Sequence, residues 1–425
     1  MDTLDWLGWT WLAGLSGLSV MWLLLGGAQA RFWWGTPRLG GVAPELPDGA
    51  AWPLVSVVVP SCNEAAAVEA ATRSLVALDY PALEVVAVND RSTDDTGAIL
   101  ERVAAEHPGR LTVVHVDTLP DGWLGKNHAN DVGARRARGD WLLFTDGDVV
   151  FAPDALKRAI HFVTRCGLGH VAGMPHLVCP GFWERAAQTA TFGMIATRFQ
   201  MWTLTRARTA GFAGVGAFNL CRRDAYLAVG GHTPLRMEVA DDMKLGMILR
   251  RSGVPQGCVD TQLLVQVRWQ QGWWGSWRGL LKNGFAALNF SWPLVLGAVA
   301  ALVGVTLAPL AALALAPWWW ARVMAAWCVA VPMVLHGYTA RRCAGGSGPE
   351  GLTQPLAALT MAATLVLSAV LTAWRGGVLW RGTLYPIGAL KHGVVREAAW
   401  PTDNVVGWDP TRAGPSSGPG LRHGN

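Results

Sequence analysis

The chain has 425 residues, room for two or three domains, and a net charge of only +5, without the clustered Lys and Arg that nucleic-acid binding requires. Charged residues make up 15% and mean hydropathy is +0.26, too apolar for a soluble protein throughout. The 7 Cys show neither CxxC nor metal-ligand spacing, so they read as reduced and structural.

The 24 Trp are the anomaly, bunched at Trp6, Trp9 and Trp11, at Trp33-Trp34, at Trp273, Trp274 and Trp277, and at Trp318-Trp319-Trp320. Trp collects at membrane–water interfaces, where its ring is half buried and its N–H stays wet.

The first predicted element is a membrane span over residues 7–28, within an N-terminal segment 1–30. A basic start is missing and Trp-rich sequence follows, which argues against a signal peptide. Asp2 and Asp5 precede the span, and Arg31 and Arg38 follow it. By the positive-inside rule residues 31–290 are then cytoplasmic.

Residues 50–270 form the next domain, where short buried runs at 55–59, 85–88, 111–116 and 142–144 alternate with helical stretches. Such alternation predicts an α/β fold, a mainly parallel sheet covered by helices. Thr93 is expected to cap a helix, Pro153 to take the first position of another, and residues 241–251 to form a third. Residues 271–290 carry Trp274, Trp277, Leu281, Phe285 and Leu288 at helical spacing, with Arg278 and Lys282 elsewhere, an amphipathic helix suited to a membrane surface.

Residues 291–374 hold three further spans, over 292–314, 319–335 and 355–373. Three spans after a cytoplasmic domain put the tail, residues 375–425, outside, yet Arg375, Arg381, Lys391 and Arg396 argue for inside. Residues 410–425 are rich in Gly, Pro and Ser and are expected to be disordered.

The candidate chemistry lies at strand ends. Strand 54–60 leads into Asn63-Glu64, strand 83–89 ends at Asp90, and strand 141–145 ends at Asp146-Gly147-Asp148. Carboxyl ends of strands in open α/β sheets face the ligand crevice. A crevice this acidic holds a phosphate-bearing ligand only with a metal between them. Asp146 and Asp148, at i and i+2, suit Mg²⁺ or Mn²⁺, which take hard oxygen ligands. Asp90 can accept a base N–H or a ribose hydroxyl. GxGxxG and a Walker lysine are both missing, which disfavours dinucleotide and P-loop readings.

Lys126, at the end of a Gly-rich loop, can meet phosphate near a helix start. Asp241-Asp242 opens a helix, where one carboxylate can cap and the other can take a proton from an acceptor hydroxyl. Arg268 offers a cation for a leaving diphosphate, and Trp269 an indole to pack on a sugar.

In this order the motifs resemble those of a membrane-bound family 2 glycosyltransferase of GT-A (Rossmann-like) fold. The likeness runs over about residues 55–270. Pro60-Ser61-Cys62-Asn63-Glu64 matches the family's first strand end, Asp90 with Asp94 its nucleotide-binding aspartates, and Asp146-Gly147-Asp148 its DxD motif. Ala240-Asp241-Asp242 stands where the family carries Glu-Asp, which implies Asp242 as catalytic base. Two departures are visible: Gln266-Val267-Arg268-Trp269 is one residue short of QxxRW, and Asp241 replaces Glu. The segment Gly376 to Tyr385, with Trp380-Arg381-Gly382, is similar to one in lipid-modifying members of ceramide, hopanoid and carotenoid type.

The resemblance implies an inverting transferase that moves a sugar from a nucleotide-diphosphate sugar to the hydroxyl of a membrane lipid, with helices on both faces of its sheet. Its expected place is a bacterial inner membrane, multi-pass, with the catalytic domain cytoplasmic. The alternatives are a processive polysaccharide synthase and, in another class, a transporter or non-catalytic scaffold. Against a transporter, spans 292–314 and 355–373 contain no ionisable residue.

Overall fold

Val-rich runs buried on both faces build parallel strands, and here they set the architecture. In the computed structural model, which describes residues 3–41, 51–198, 204 and 211–396, the chain forms two compact units. Elements are numbered along the whole chain. The expected tail disorder at 410–425 lies outside the described residues.

The first unit comprises Thr36–His176, Thr203–Arg268 and Ala389–Asn425. Its strands are β1 Val55–Ser61, β2 Leu83–Asp90, β3 Leu111–Val116, β4 Trp141–Phe144, β5 Val149–Phe151, β6 His170–Met174, the short β7 His176–Leu177, β8 Asn219–Arg222, β9 Gln256–Asp260 and β10 Val265–Val267. Seven of them form one sheet in the order β3-β2-β1-β4-β8-β6-β9. All run the same way except β8, which is antiparallel to both β4 and β6. In register, Val58 faces Val86 on one side and Phe144 on the other. β5 pairs antiparallel with β10.

The helices of this unit are α2 Val68–Val76, α3 Thr96–Glu106, α4 Gly125–Arg136, α5 Ala155–Cys166, α7 Arg223–Ala228 and α8 Asp241–Arg251. They cover both faces of the sheet. Ala129 of α4 packs with Val86, Val88 and Val116, and a side chain at Gly133 would come within 2.5 Å of Val58. On the opposite face, Glu101 of α3 meets His115 at 2.8 Å, and Asn89 Nδ2 lies 3.0 Å from His115 Nδ1. The α/β class is therefore as expected, and α8 occupies the expected residues 241–251.

Two helix starts differ from expectation. α3 begins at Thr96, not after Thr93, because the Asp94 carboxylate takes the Thr96 N–H at 3.0 Å while the Thr93 N–H goes to Asn63 Oδ1 at 2.8 Å. α5 begins at Ala155 rather than Pro153, whose carbonyl instead accepts the Asp79 N–H at 2.8 Å.

The second unit comprises Met1–Gly35, Leu177–Trp202 and Trp269–Gly388. It holds α1 Thr3–Gly35, α6 Phe182–Arg198, α9 Gly272–Ala287, α10 Trp292–Leu315, α11 Trp319–Ala344 and α12 Gln354–Arg375. Four stretches are long and apolar enough to cross a membrane: Gly8–Gly35, Trp292–Leu315, Trp319–Ala344 and Pro349–Arg375. That matches one N-terminal and three C-terminal spans, though α11 runs past residue 335 to Ala344. It stops at Gly345, whose left-handed backbone (φ 61°) ends a helix at little cost, and not where the hydropathy falls.

Helix α9 buries Trp277, Leu280 and Phe285 and leaves Trp274 68% exposed. Packing chooses the face. Ser368 of α12 accepts the Phe285 N–H at 2.9 Å and donates to the Leu281 carbonyl at 2.5 Å. The Trp380-Arg381-Gly382 segment forms a tight hairpin between β11 Gly377–Trp380 and β12 Thr383–Pro386. Its two turn residues, Arg381 and Gly382, are both left-handed (φ 50° and 79°), as a two-residue hairpin turn prefers.

Candidate active site

The end of β2 is fastened. Asp90 is 3% exposed and bound by both arms of Arg91, Nε at 2.7 Å and Nη2 at 2.9 Å. Asn63, left-handed at φ 54°, accepts the Thr93 N–H, and the Glu64 N–H donates to Thr96 Oγ1 at 2.8 Å. Asp94 takes N–H groups from Ala65 and Thr96 and the Thr96 hydroxyl. Partial burial pushes its carboxyl up, but these hydrogen bonds outweigh that and hold it below the usual range. Asp94 thus ties the loop after β1 to the start of α3.

The end of β4 is different. A small cleft is lined there by Lys126, Asn130, Asp146, Gly216, His232, Asp241 and Asp242, with Pro60, Phe144, Thr145, Asn219 and Leu245. The α4 residues reach it because Asn127 Nδ2 donates to the carbonyls of Leu235, at 2.5 Å, and Glu238, at 2.9 Å, in the loop that enters α8. Lys126 Nζ lies 2.6 Å from Asp146 and 3.9 Å from Asp241. Burial would lower the ammonium's pKa, but Asp146, Asp241 and Asp242 overcome it and keep Lys126 charged. Asn130 Nδ2 donates to Asp241 Oδ2 at 3.3 Å.

Asp242 has one oxygen on its neighbour's backbone, Met243 N–H at 2.7 Å. Desolvation and the adjacent Asp241 push its carboxyl up to about 6, against the pull of Lys126. That value suits a general base at neutral pH. Asp148 is pushed up to about 7 by burial and by the negative charges of Asp146 and Glu64.

A site with such crowded negative charge fits a divalent cation. Among the described residues no group of three or more His, Cys, Asp or Glu forms a metal cage. The fit is therefore of the kind where one or two carboxylates share the ion with substrate phosphates and water.

Of the residues singled out from the sequence, Lys126, Asp146, Asp241 and Asp242 come together in this cleft. Asn63, Glu64, Asp90, Asp148 and Arg268 belong to the same unit but do not line it. Trp269 belongs to the helical unit, where it packs on a cluster of Ala187, Trp277, Leu280 and Ala357.

Sequence reasoning missed Asn130, Gly216, Asn219 and His232. Gly216 accepts the Asp146 N–H at 3.0 Å, and a side chain there would come within 2.6 Å of Asp146 Oδ2 and 3.3 Å of Asp242 Oδ2. Its only sequence signal is the small-residue run Gly214-Val215-Gly216. Asn219 donates to the Asp242 carbonyl at 3.2 Å and receives His170 Nε2–H at 2.5 Å. Gln256 donates to His170 Nδ1 at 2.7 Å and to the Gly246 carbonyl at 2.9 Å. Burial holds His170 down at about 4, so it stays neutral. This chain of amides and one imidazole fixes the first turn of α8 on the sheet.

Comparison with known proteins places these features. Residues 56–228 match the family model described as Glycosyl transferase family 2. The Beta-monoglucosyldiacylglycerol synthase of Synechocystis sp. is 29% identical over 245 residues, 57% of this chain and 47% of that protein. The Poly-beta-1,6-N-acetyl-D-glucosamine synthase of Staphylococcus epidermidis is 27% identical over 124 residues, 29% of each chain. The matches thus span less than half the length of these curated relatives. A solved structure, the mannosyltransferase PcManGT from Pyrobaculum calidifontis in complex with GDP-Man and Mn²⁺, aligns at TM-score 0.48 and 23% identity, over 85% of this chain and 99% of that one. The match over residues 56–228, which runs from β1 through α7, shows that the chain carries a glycosyltransferase domain of family 2.

Proposed function

We propose that the protein is an inverting glycosyltransferase that moves a sugar from a nucleotide-diphosphate sugar to a hydroxyl of a membrane lipid. The observation that carries this reading is the cleft itself. A carboxylate raised to about 6, Asp242, shares it with a charged lysine, Lys126, and with the strand-end carboxylate Asp146.

In this reading the donor's base and ribose lie near Asp90, and Lys126 turns from Asp146 to the diphosphate. Asp146 and Asp148 would hold a divalent ion, Mg²⁺ or Mn²⁺, which supplies positive charge to the leaving diphosphate. Asp242 accepts the proton of the acceptor hydroxyl. The freed oxygen attacks the anomeric carbon from the face opposite the diphosphate. As the new C–O bond forms, the old one breaks, and its electron pair leaves with the nucleoside diphosphate. The anomeric configuration inverts. Asn63, Glu64 and Asp241 are further substrate-binding residues of this reading, and Arg268 offers a cation to the leaving diphosphate.

The lipid acceptor is supported by the likeness to a glycolipid synthase and by four helices long and apolar enough to span a membrane. The Arg31 and Arg38 bias favours a cytoplasmic catalytic unit. The second reading, a polysaccharide synthase, draws on the likeness to the Staphylococcus enzyme. Three C-terminal spans are few for a polymer channel.

The deciding experiment incubates the detergent-solubilised protein and Mn²⁺ with isotopically labelled nucleotide sugars and a bacterial lipid extract. One labelled glycolipid of inverted configuration by NMR is expected. A retained configuration removes the inverting mechanism, and a water-soluble polymer moves the assignment to the second reading.

A further inference from the structure

His232 lines the cleft but belongs to no motif discussed above. The two glycines before it, Gly230 and Gly231, are both left-handed (φ 85° and 62°), and this turn brings the imidazole back onto Tyr226. The Tyr226 hydroxyl accepts the His232 backbone N–H at 3.1 Å and lies 2.7 Å from Nδ1. The Tyr226 hydroxyl makes no other hydrogen bond with a described residue, so its proton goes to Nδ1. That assigns the ring hydrogen to Nε2.

The imidazole is held sideways by Phe144, with ring centroids 5.0 Å apart at 65°. His232 is 1% exposed as a residue; its Nε2 makes no hydrogen bond with any described residue and keeps access to the cleft. Burial holds the ring neutral, so Nε2–H is a donor without a charge. Across α4, Asn130 is 3% exposed and lines the same cleft. Its amide nitrogen is spent on Asp241, and its carbonyl Oδ1 is buried without a partner among the described residues. Leaving a buried polar group unpaired costs about 1–3 kcal/mol, so Asn130 Oδ1 calls for a partner, while His232 Nε2–H, which is not sealed from the cleft, is a donor open to one.

A donor and an acceptor on one cleft match a single hydroxyl, which accepts one hydrogen bond and donates another. We propose that His232 and Asn130 read a hydroxyl of the sugar carried by the nucleotide donor: Nε2–H donates to the hydroxyl oxygen, and the hydroxyl proton goes to Asn130 Oδ1. The inference rests on the donor assignment in the preceding subsection. It makes the pair a specificity element, because a site built to bond a hydroxyl rejects a ligand that lacks it far more strongly than an apolar pocket does. It also explains a histidine where an apolar ring would fill the same space between Phe144 and Tyr226.

The test measures binding by calorimetry with Mn²⁺ and without acceptor. The probes are UDP-glucose, UDP-galactose and GDP-mannose, each against UDP or GDP alone. In His232→Phe the nucleotide sugar that binds the native protein should lose about tenfold in affinity, as expected for one lost hydrogen bond to a buried group. The bare nucleoside diphosphate should bind as before. His232→Gln, which restores an N–H donor, should recover part of the loss. Tyr226→Phe keeps the imidazole but frees its tautomer, and should show a smaller selective loss. It keeps the proposal testable if His232→Phe does not fold.

Equal losses for nucleotide sugar and nucleotide, or no loss in His232→Phe and Tyr226→Phe, would overturn the pair's role and leave the donor assignment standing. A native protein that binds none of the nucleotide sugars overturns the proposed function, and the inference with it.

Discussion

Two carboxylates of the α/β unit, the buried Glu84 and the half-buried Asp242, stand in opposite situations. Glu84, on β2, takes the Ser56 hydroxyl at 2.5 Å, the Arg138 N–H at 2.5 Å and the Arg138 guanidinium at 2.9 Å. Burial pushes it up, but these bonds outweigh it and hold its carboxyl below the usual range. Asp242, at the start of α8, has one backbone N–H and a carboxylate for a neighbour, and rises to about 6. The first is a fastener, content as a charge. The second is held in a state that folding alone does not favour, which is the mark of a group kept for chemistry.

The comparison breaks most sharply on Asp242→Asn. General-base catalysis contributes about 10²–10⁴-fold, so turnover should fall by at least that order. Donor affinity should change little, since the lost interaction belongs to the transition state. Full activity in this variant would sink the base assignment, and a large loss in Asp241→Asn alone would move the base by one residue.

The same variant should be more stable than the native protein. A carboxyl raised to about 6 in the fold, against about 3.9 unfolded, favours its protonated form in the native state. Its charge therefore destabilises the protein fully above pH about 6, and the penalty fades as the pH falls toward about 3.9. Removing the charge should add roughly 3 kcal/mol at pH 7, at about 1.4 kcal/mol per unit. Denaturant titrations at pH 7 and pH 4 read this directly: the gain should be present at the first and nearly gone at the second. A destabilised Asp242→Asn at pH 7 would mean that the carboxylate fastens α8 as Glu84 fastens β2.

Glu84→Ala should do the reverse, lowering stability by about 2 kcal/mol as Ser56 and the Arg138 N–H lose their partner. Its carboxyl is depressed in the fold, so its contribution is present above the unfolded value of about 4.3 and is lost as the pH falls through the folded one. Nucleotide binding should not change beyond what unfolding explains. A catalytic defect in a folded Glu84→Ala would blur the contrast.

Gly216→Ala gives the smallest effect. Its methyl group would come within 2.6 Å of Asp146 Oδ2, so the carboxylate must shift. About tenfold loss of donor affinity is expected, the scale of about 1.4 kcal/mol, with the melting temperature held within a few degrees. Unchanged affinity would show that Asp146 has room to move and does not set the donor's position.

Some of this was legible in the chain. Buried runs bounded by Asp90 and by Asp146-Gly147-Asp148 report strand ends, because local pattern and burial agree there. Helix α8 was legible at both ends, since acidic residues open it and basic ones, Arg250 and Arg251, close it. Thr93 misled, because two residues able to cap competed and Asp94 was nearer the helix that formed.

The amino-acid sequence by itself determined the α/β alternation, the apolar spans and the acidic residues at strand ends, all of which follow from period, length and composition within short windows. Only the tertiary structure decided that β8 runs against its neighbours, that Gly216 lies between two carboxylates, and that His232 and Asn130 share a cleft with Asp242. Those residues come from segments a hundred positions apart, and their chemistry comes from what surrounds them. A carboxyl at about 6 and an imidazole nitrogen without a partner among the described residues are products of desolvation and packing, which no short window of sequence encodes.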